Sequence, residues 1–81
     1  MPFDRQDTYA KIVSIIADQL SIDKNSIIED SSLESLGADS LDRVEIVMNV
    51  EEAFGIQIRD EDADTIQTVR QAVDYVQHLR K

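Results

Sequence analysis

The chain has 81 residues, of which 17 are acidic and 8 are basic, giving a formal net charge of −9 at pH 7. This length allows one small domain, residues 1–81, and the lack of cysteine excludes thiol catalysis, zinc–thiolate sites and iron–sulfur clusters. The acidic balance disfavours nucleic acid and anionic membranes, and no apolar run is long enough to span a bilayer, so a basic protein surface is the expected partner.

The first predicted element is an amphipathic helix over residues 5–20. Its apolar residues recur at steps of three and four, as one helical face requires: Tyr9, Ile12, Val13, Ile16, Ala17 and Leu20. Asp4 is the predicted N-cap, with Asp7 at the third helical position. The connection over 21–39 is long, but its Ile and Leu residues predict that it packs against the domain, with room for one helical turn.

The start of the second predicted helix offers a modification site. Asp39 as N-cap places Asp42 at the third helical position, where a negative charge suits the helix dipole. The hydroxyl of Ser40 is then not needed for folding, and a phosphate ester on it would meet free backbone N–H groups. An ordinary serine in a capping turn is the alternative.

The second predicted helix runs from Ser40 to Phe54, ends at Gly55 and carries two apolar stripes. The larger stripe should face the core: Ile46, Val47, Val50 and Phe54. The smaller stripe is Leu41, Val44 and Met48, flanked on the helical wheel by Glu45, Glu51 and Glu52, with Asp42 further round. Because so small a domain can hardly bury both, we predict that the smaller stripe is an exposed docking site for an apolar groove with basic side chains around it. The alternative is a helix surrounded on all sides, with Met48 and its neighbours buried.

The negative charge is concentrated in the middle of the chain. Residues 29–64 contain twelve acidic side chains against only Arg43 and Arg59, a net charge of −10. A solvated acidic face that serves only solubility is one interpretation. Recognition of a basic partner is the other, and the docking stripe in the same segment favours it.

The remaining elements complete a helical domain. Ile56 and Ile58 alternate like a short strand, and residues 60–66 could form a short helix. The last helix is predicted from Val69 to Leu79. Thr68 and Gln71 form its predicted capping box, and the final basic residues suit the negative end of its dipole: Arg80 and Lys81.

Several of these segments together resemble the acyl carrier proteins of fatty acid synthesis. The matching stretches are GADSLD at 37–42, VEIVM at 44–48, EEAF at 51–54, DEDA at 60–63, TV at 68–69 and VDYV at 73–76. The resemblance therefore covers nearly the whole chain. The sequence departs from the family at Arg59, where relatives often have proline, and at 64–67.

The resemblance implies an all-α four-helix bundle with three longer helices, one short helix and a long loop between the first two. It also implies that Ser40 carries 4′-phosphopantetheine, attached by a separate phosphopantetheinyl transferase that uses coenzyme A. The thiol of this arm would hold acyl chains as thioesters while a monomeric, non-catalytic carrier visits fatty acid synthesis enzymes with basic docking surfaces. A carrier of polyketide, aminoacyl or other specialised cargo is the alternative within this class.

Other classes fit the residues less well. A serine hydrolase would need a Gly-x-Ser-x-Gly elbow and a base, but His78 is the sole histidine and lies far along the chain. A calcium loop starting at Asp60 would have threonine and glutamine where glycine and glutamate are required, so no metal site is expected. A helical protein-interaction module without a prosthetic group is the main competitor. The amino terminus lacks a secretory pattern, so we expect a cytoplasmic protein, or one in an organelle matrix or stroma after removal of a targeting peptide.

Overall fold

The computed structural model describes residues 4–80, which form an all-α bundle of three longer helices and one short helix, as predicted. The helices are α1 (Arg5–Leu20), α2 (Ser40–Phe54), α3 (Asp60–Ala63) and α4 (Val69–Leu79). The long connection between α1 and α2 contains one 3₁₀ turn, Lys24–Ser26. Within the described range, no helix combines the length and the apolar character that crossing a membrane requires.

The helix boundaries follow from side-chain caps that the sequence predicted. Asp4 Oδ1 accepts a hydrogen bond of 3.0 Å from the backbone N–H of Gln6 at the start of α1. At the start of α4, Thr68 and Gln71 form the reciprocal capping box, with hydrogen bonds of 3.1 and 3.0 Å. Gly55 ends α2 with a φ of 64°, a left-handed conformation that glycine adopts without strain. Lys81 lies outside the described residues.

The core is aliphatic and lies where α1, α2 and α4 meet. Its buried members are Ile12, Val13, Ile16, Ala17, Ile27, Leu33, Ile46, Val50, Ile58, Val69, Val73 and Val76. Ile46 and Val50 belong to the stripe of α2 that was predicted to face inward, and Val47 and Phe54 pack against the same cluster. The hydrophobic effect on this shared cluster holds the three longer helices together.

The connection between α1 and α2 is fixed to the start of α4. Buried Ile27 and Leu33 anchor it to the core, which confirms the prediction from its embedded apolar residues. Three backbone hydrogen bonds of 2.9–3.0 Å join it to residues 67–70: Leu33 N to Gln67 O, Val69 N to Ser31 O and Arg70 N to Glu29 O. The loop that leads to Ser40 is therefore ordered by the chain's own contacts.

Arg5 joins α1, this connection and α4 through its guanidinium group. It donates to both carboxylate oxygens of Glu29, at 2.7 and 3.1 Å, and to Asp74 Oδ1 at 2.9 Å. The bidentate hydrogen bond from Arg5 holds the pKa of Glu29 below its usual value of 4.5. Arg70 adds ion pairs to Glu29 and Asp30.

Residues 56–66 differ from the prediction in two ways. The expected strand at Ile56 and Ile58 is wrong, because the described residues contain no strand and the N–H of Ile58 donates to a side chain, Glu51, instead of a neighbouring strand. The short helix α3 ends at Ala63 and not at residue 66. The Thr65 hydroxyl donates to the Asp62 carbonyl at 2.7 Å, a local hydrogen bond that competes with helix continuation.

Candidate functional site

The first turn of α2 leaves the hydroxyl of Ser40 available. Asp39 Oδ1 accepts from the N–H of Asp42 at 2.8 Å, and Asp42 Oδ2 accepts from the N–H of Asp39 at 3.3 Å. This capping box confirms Asp39 as the N-cap. Ser40 is exposed, and its hydroxyl takes no part in the cap. The Ser40 side chain therefore lies at the positive end of the helix dipole, and the helix cap does not depend on it.

The chain reaches Ser40 through a tight turn. Gly37 has a φ of 98°, which side-chain-bearing residues rarely adopt, and nothing lies within 4 Å of where a Cβ would sit. The N–H groups of Gly37 and Ala38 donate to the carbonyls of Glu34 and Leu33, both at 3.0 Å. The turn at Gly37 is therefore open to solvent on one side, while its backbone is held by two hydrogen bonds on the other. This arrangement leaves Ser40 accessible to another protein.

The smaller apolar stripe of α2 lies at the surface. We call it the apolar strip: Leu41, Val44 and Met48 are 65%, 55% and 59% exposed. Its exposure agrees with the two-stripe interpretation, and the alternative of a helix surrounded on all sides is wrong. Three large apolar side chains on one exposed helix face are typical of a surface that contacts a partner.

The four carboxylates around the strip, which we call the acidic rim, have different surroundings: Asp42, Glu45, Glu51 and Glu52. Gln19 of α1 donates to Glu45 Oε2 at 2.6 Å and to Asp42 Oδ1 at 3.2 Å. Glu51 Oε2 accepts from the N–H of Ile58 at 2.7 Å. Glu52 is exposed. Glu51 therefore binds the backbone of the chain after α2, a contact that its position on the helical wheel did not indicate.

A cavity of about 690 Å³ lies beside Ser40, within the size range of small-molecule pockets. We call it the α2–α3 cavity, because its lining comes largely from α2 and residues 57–66. Its inner wall is part of the aliphatic core: Ile12, Ile16, Leu33, Ile46, Val50 and Val76. An apolar group attached near Ser40 has a route from the surface toward the core.

Two hydrogen bonds beside this cavity, one to Ile66 and one to Asp62, could not be predicted from the sequence. Arg43 Nη2 donates to the carbonyl of Ile66 at 2.7 Å, whereas the sequence showed Arg43 only as an isolated positive charge. Tyr75 of α4 donates its hydroxyl to Asp62 Oδ2 at 2.8 Å, and this hydrogen bond raises the pKa of Tyr75 above its usual 10.0. Tyr75 lies in the VDYV stretch and Arg43 directly follows the GADSLD stretch, but neither stretch indicates which distant residue the side chain binds.

Residues that a calcium loop or a serine hydrolase would use lie in regular helices. Asp60 and Asp62, which would begin a calcium loop, lie inside α3. Among residues 4–80, no group of three or more His, Cys, Asp or Glu side chains is arranged to hold a metal ion. His78 is exposed in the last turn of α4.

Residues 10–76 match the family model described as the phosphopantetheine attachment site. The acyl carrier protein of Rubrobacter xylanophilus is 50% identical over 90% of this chain and 91% of its own length. That of Guillardia theta is 45% identical over the same shares. The chain belongs to the acyl carrier protein family. Membership of this family implies the four-helix fold that the structure shows and a covalently attached 4′-phosphopantetheine group.

A solved structure agrees with this carrier's fold. The HMG-ACPI domain from the CurA module of Lyngbya majuscula, determined by NMR, superposes with a TM-score of 0.85. The comparison covers 95% of this chain and 78% of that one, at 17% identity. At that identity the likeness concerns the fold alone. The carrier role follows from the sequence relatives and the family model.

Proposed function

We propose that Ser40 is the residue to which 4′-phosphopantetheine is attached, by a phosphopantetheinyl transferase that uses coenzyme A. The observation that carries this proposal is that Asp39 caps α2, so that the neighbouring Ser40 is exposed and its hydroxyl is not used in the cap. Modification of such a hydroxyl costs no cap hydrogen bond, and the helix dipole favours the phosphate that it would carry.

The residues present fit the group on two further counts. The α2–α3 cavity includes Ser40 in its lining, so a tether at this hydroxyl starts at the edge of an apolar space. The arm ends in a thiol that binds acyl chains as thioesters, which supplies the reactive sulfur that this cysteine-free chain lacks. The chain's own contribution is to hold, present and shield the cargo, and no side chain of it is assigned a catalytic role.

The apolar strip and the acidic rim are the proposed docking surface. A carrier must bind many enzymes and leave each of them, which favours a small surface with fast, charge-steered association. Basic enzyme surfaces would be attracted to the rim, while the strip fills an apolar groove. Docking raises the effective concentration of the tethered cargo at each enzyme that the carrier visits.

The cavity is the proposed shelter for the acyl chain. Burial of a CH₂ group stabilises by about 0.8 kcal/mol, so a medium-length chain can offset the cost of opening the bundle. The thermal midpoint of the phosphopantetheine-bearing protein should then rise with the length of its acyl chain. An equal midpoint for all chain lengths would contradict the shelter.

Intact mass spectrometry tests the attachment residue. After incubation with coenzyme A and a transferase, the wild-type chain should gain the mass of one phosphopantetheine arm. Ser40→Ala should gain nothing, and Ser35→Ala, an exposed serine in the preceding loop, should gain one arm like the wild type. An arm on Ser40→Ala would disprove the assignment, and no gain on the wild type would leave an interaction module as the better interpretation.

A further inference from the structure

The outer wall of the α2–α3 cavity is a segment with little regular secondary structure. We call residues 56–67 the wall segment; it contains the four-residue helix α3 with irregular chain on either side, and its buried side chains are Ile58 and Ile66. Many of its hydrogen bonds are local, such as Thr65 Oγ1 to the Asp62 carbonyl at 2.7 Å and Gln67 Nε2 to the Asp64 carbonyl at 2.9 Å. A short helix of this kind keeps its place through a few contacts with its neighbours.

Two side chains of α2 hold the wall segment at its two ends. Arg43 Nη2 donates to the carbonyl of Ile66 at 2.7 Å, and Glu51 Oε2 accepts from the N–H of Ile58 at 2.7 Å. All four residues line the cavity. Arg43 and Glu51 are eight positions apart, about 12 Å along the helix axis. The two hydrogen bonds therefore bracket the cavity opening along α2.

The Arg43 end is the end nearer to the tether. Arg43 follows Ser40 by three positions, so both side chains lie on one face of α2 about one turn apart. The guanidinium group is charged and partly buried where it meets the Ile66 carbonyl, and such charge-assisted hydrogen bonds are stronger than neutral ones. A chain that enters beside Ser40 meets this hydrogen bond first.

We propose that Arg43 is a positioning residue that closes the α2–α3 cavity beside Ser40 and so selects acyl chains by length. This inference rests on the proposed function, because it concerns cargo tethered at Ser40. A short chain buries too few CH₂ groups to offset separation of Arg43 from Ile66, and it stays outside. A longer chain displaces the wall segment and enters. Without the guanidinium group, shorter chains enter as well.

The unmodified chain tests the closing role without any cargo. Backbone ¹⁵N relaxation should show more motion at residues 56–67 of Arg43→Ala than in the wild type, with order parameters falling from about 0.85 toward 0.6. Order parameters in the centres of α1 and α4 should stay the same. Arg43→Lys, which keeps a donor of similar length, should restore much of the order. Lys24→Ala removes an exposed positive charge outside both the wall segment and the cavity lining and should behave like the wild type. An equal loss of order throughout the chain, or no loss, would overturn the closing role.

The loaded carrier tests selection by length. Butanoyl, octanoyl and dodecanoyl forms of the wild type, Arg43→Ala and Lys24→Ala are compared by thermal midpoint with their unacylated, arm-bearing forms. Arg43→Ala should lower the midpoint of the unacylated form by about 4–8 °C and that of the dodecanoyl form far less, because the long chain has already broken the hydrogen bond.

The outcomes of these measurements separate the two proposals. Equal lowering of both forms by Arg43→Ala would overturn the selection role while leaving attachment at Ser40 intact. A wild-type chain that accepts no arm would overturn the proposed function and selection with it, whatever the relaxation measurement gives.

Discussion

The two sides of this bundle are held together by different means. On the α1–α4 side, fully buried Val69 and Val73 pack in the core, Arg5 joins α1 to Glu29 and Asp74, and Arg80 lies over the ring of Phe54. On the α2–α3 side there is a cavity, an exposed apolar strip and a four-residue helix whose neighbours Ile58 and Ile66 are each joined to α2 by one side-chain hydrogen bond. We therefore expect the α2–α3 side to open more easily than the α1–α4 side, as the proposed entry of an acyl chain requires.

The same substitution on the two sides should have the most unequal effect. Val73→Ala removes two buried methyl groups from the α1–α4 side and should lower the free energy of unfolding by about 2 kcal/mol. Val44→Ala, in the exposed strip, should change it by about 0.5 kcal/mol or less. Urea unfolding of both variants measures the two values. Equal losses would mean that the strip is packed in solution and that the two sides do not differ.

Substitution of Arg80 should cause the next largest loss of stability on the α1–α4 side. Its guanidinium carbon lies 4.7 Å from the centroid of the Phe54 ring, and Nη1 donates to Thr8 Oγ1 at 2.9 Å, with the side chain only 9% exposed. Arg80→Ala should lower the free energy of unfolding by about 1–2 kcal/mol through loss of these contacts and of the ion pair with Asp7. Arg59→Ala is the exposed control and should cost about 0.5 kcal/mol or less. A small loss for Arg80→Ala would show that the end of α4 does not anchor this side.

On the α2–α3 side, charge should govern association and leave folding unaffected. Glu52→Lys alters an exposed member of the acidic rim, and the rate constant of modification by a phosphopantetheinyl transferase should fall about tenfold at low ionic strength. The difference should shrink as salt is added. Glu61→Lys makes the same charge change outside the rim and should have a smaller effect. Glu51 is avoided because its carboxylate binds the N–H of Ile58. Equal effects of the two variants would show that the acidic rim acts only through the net charge of the protein and is not a specific docking surface.

The ion pairs of the α1–α4 side predict a smaller, pH-dependent effect. The pKa of Glu29 is lower in the folded protein than its usual 4.5, mainly because of the Arg5 hydrogen bonds. Its stabilising contribution is therefore fully present above pH 4.5 and is lost as the pH falls through the lowered value. The difference in unfolding free energy between the wild type and Glu29→Gln should shrink on acidification. In an Arg5→Ala background the same comparison should change much less with pH, and an unchanged slope there would show that Arg5 is not the cause.

Local sequence patterns account for the elements and for the position of Ser40. Each long helix has a periodic apolar face and a cap formed by neighbours, so Asp39 with Asp42 and Thr68 with Gln71 can be identified without a structure. The availability of the Ser40 hydroxyl follows from the same local geometry.

The wall of the cavity could not be predicted in this way. The hydrogen bond from Arg43 reaches a carbonyl 23 positions away, and Tyr75 reaches Asp62 across 13 positions. Such contacts depend on how the helices pack and leave no periodic or capping signal. The extent of α3 was overestimated for a different reason: Thr65 and Gln67 donate to the carbonyls of Asp62 and Asp64, and these local hydrogen bonds end the helix.

The central claim is that Ser40 holds the cargo and the α2–α3 cavity receives it. The most direct measurement is a comparison of backbone amide NMR shifts between the unacylated, arm-bearing protein and its dodecanoyl form. We expect the largest changes at cavity-lining positions such as Val47, Ile58 and Ile66, with little change at Arg5 and Asp74. Changes confined to the immediate neighbours of Ser40, or spread equally over α1 and α4, would contradict it.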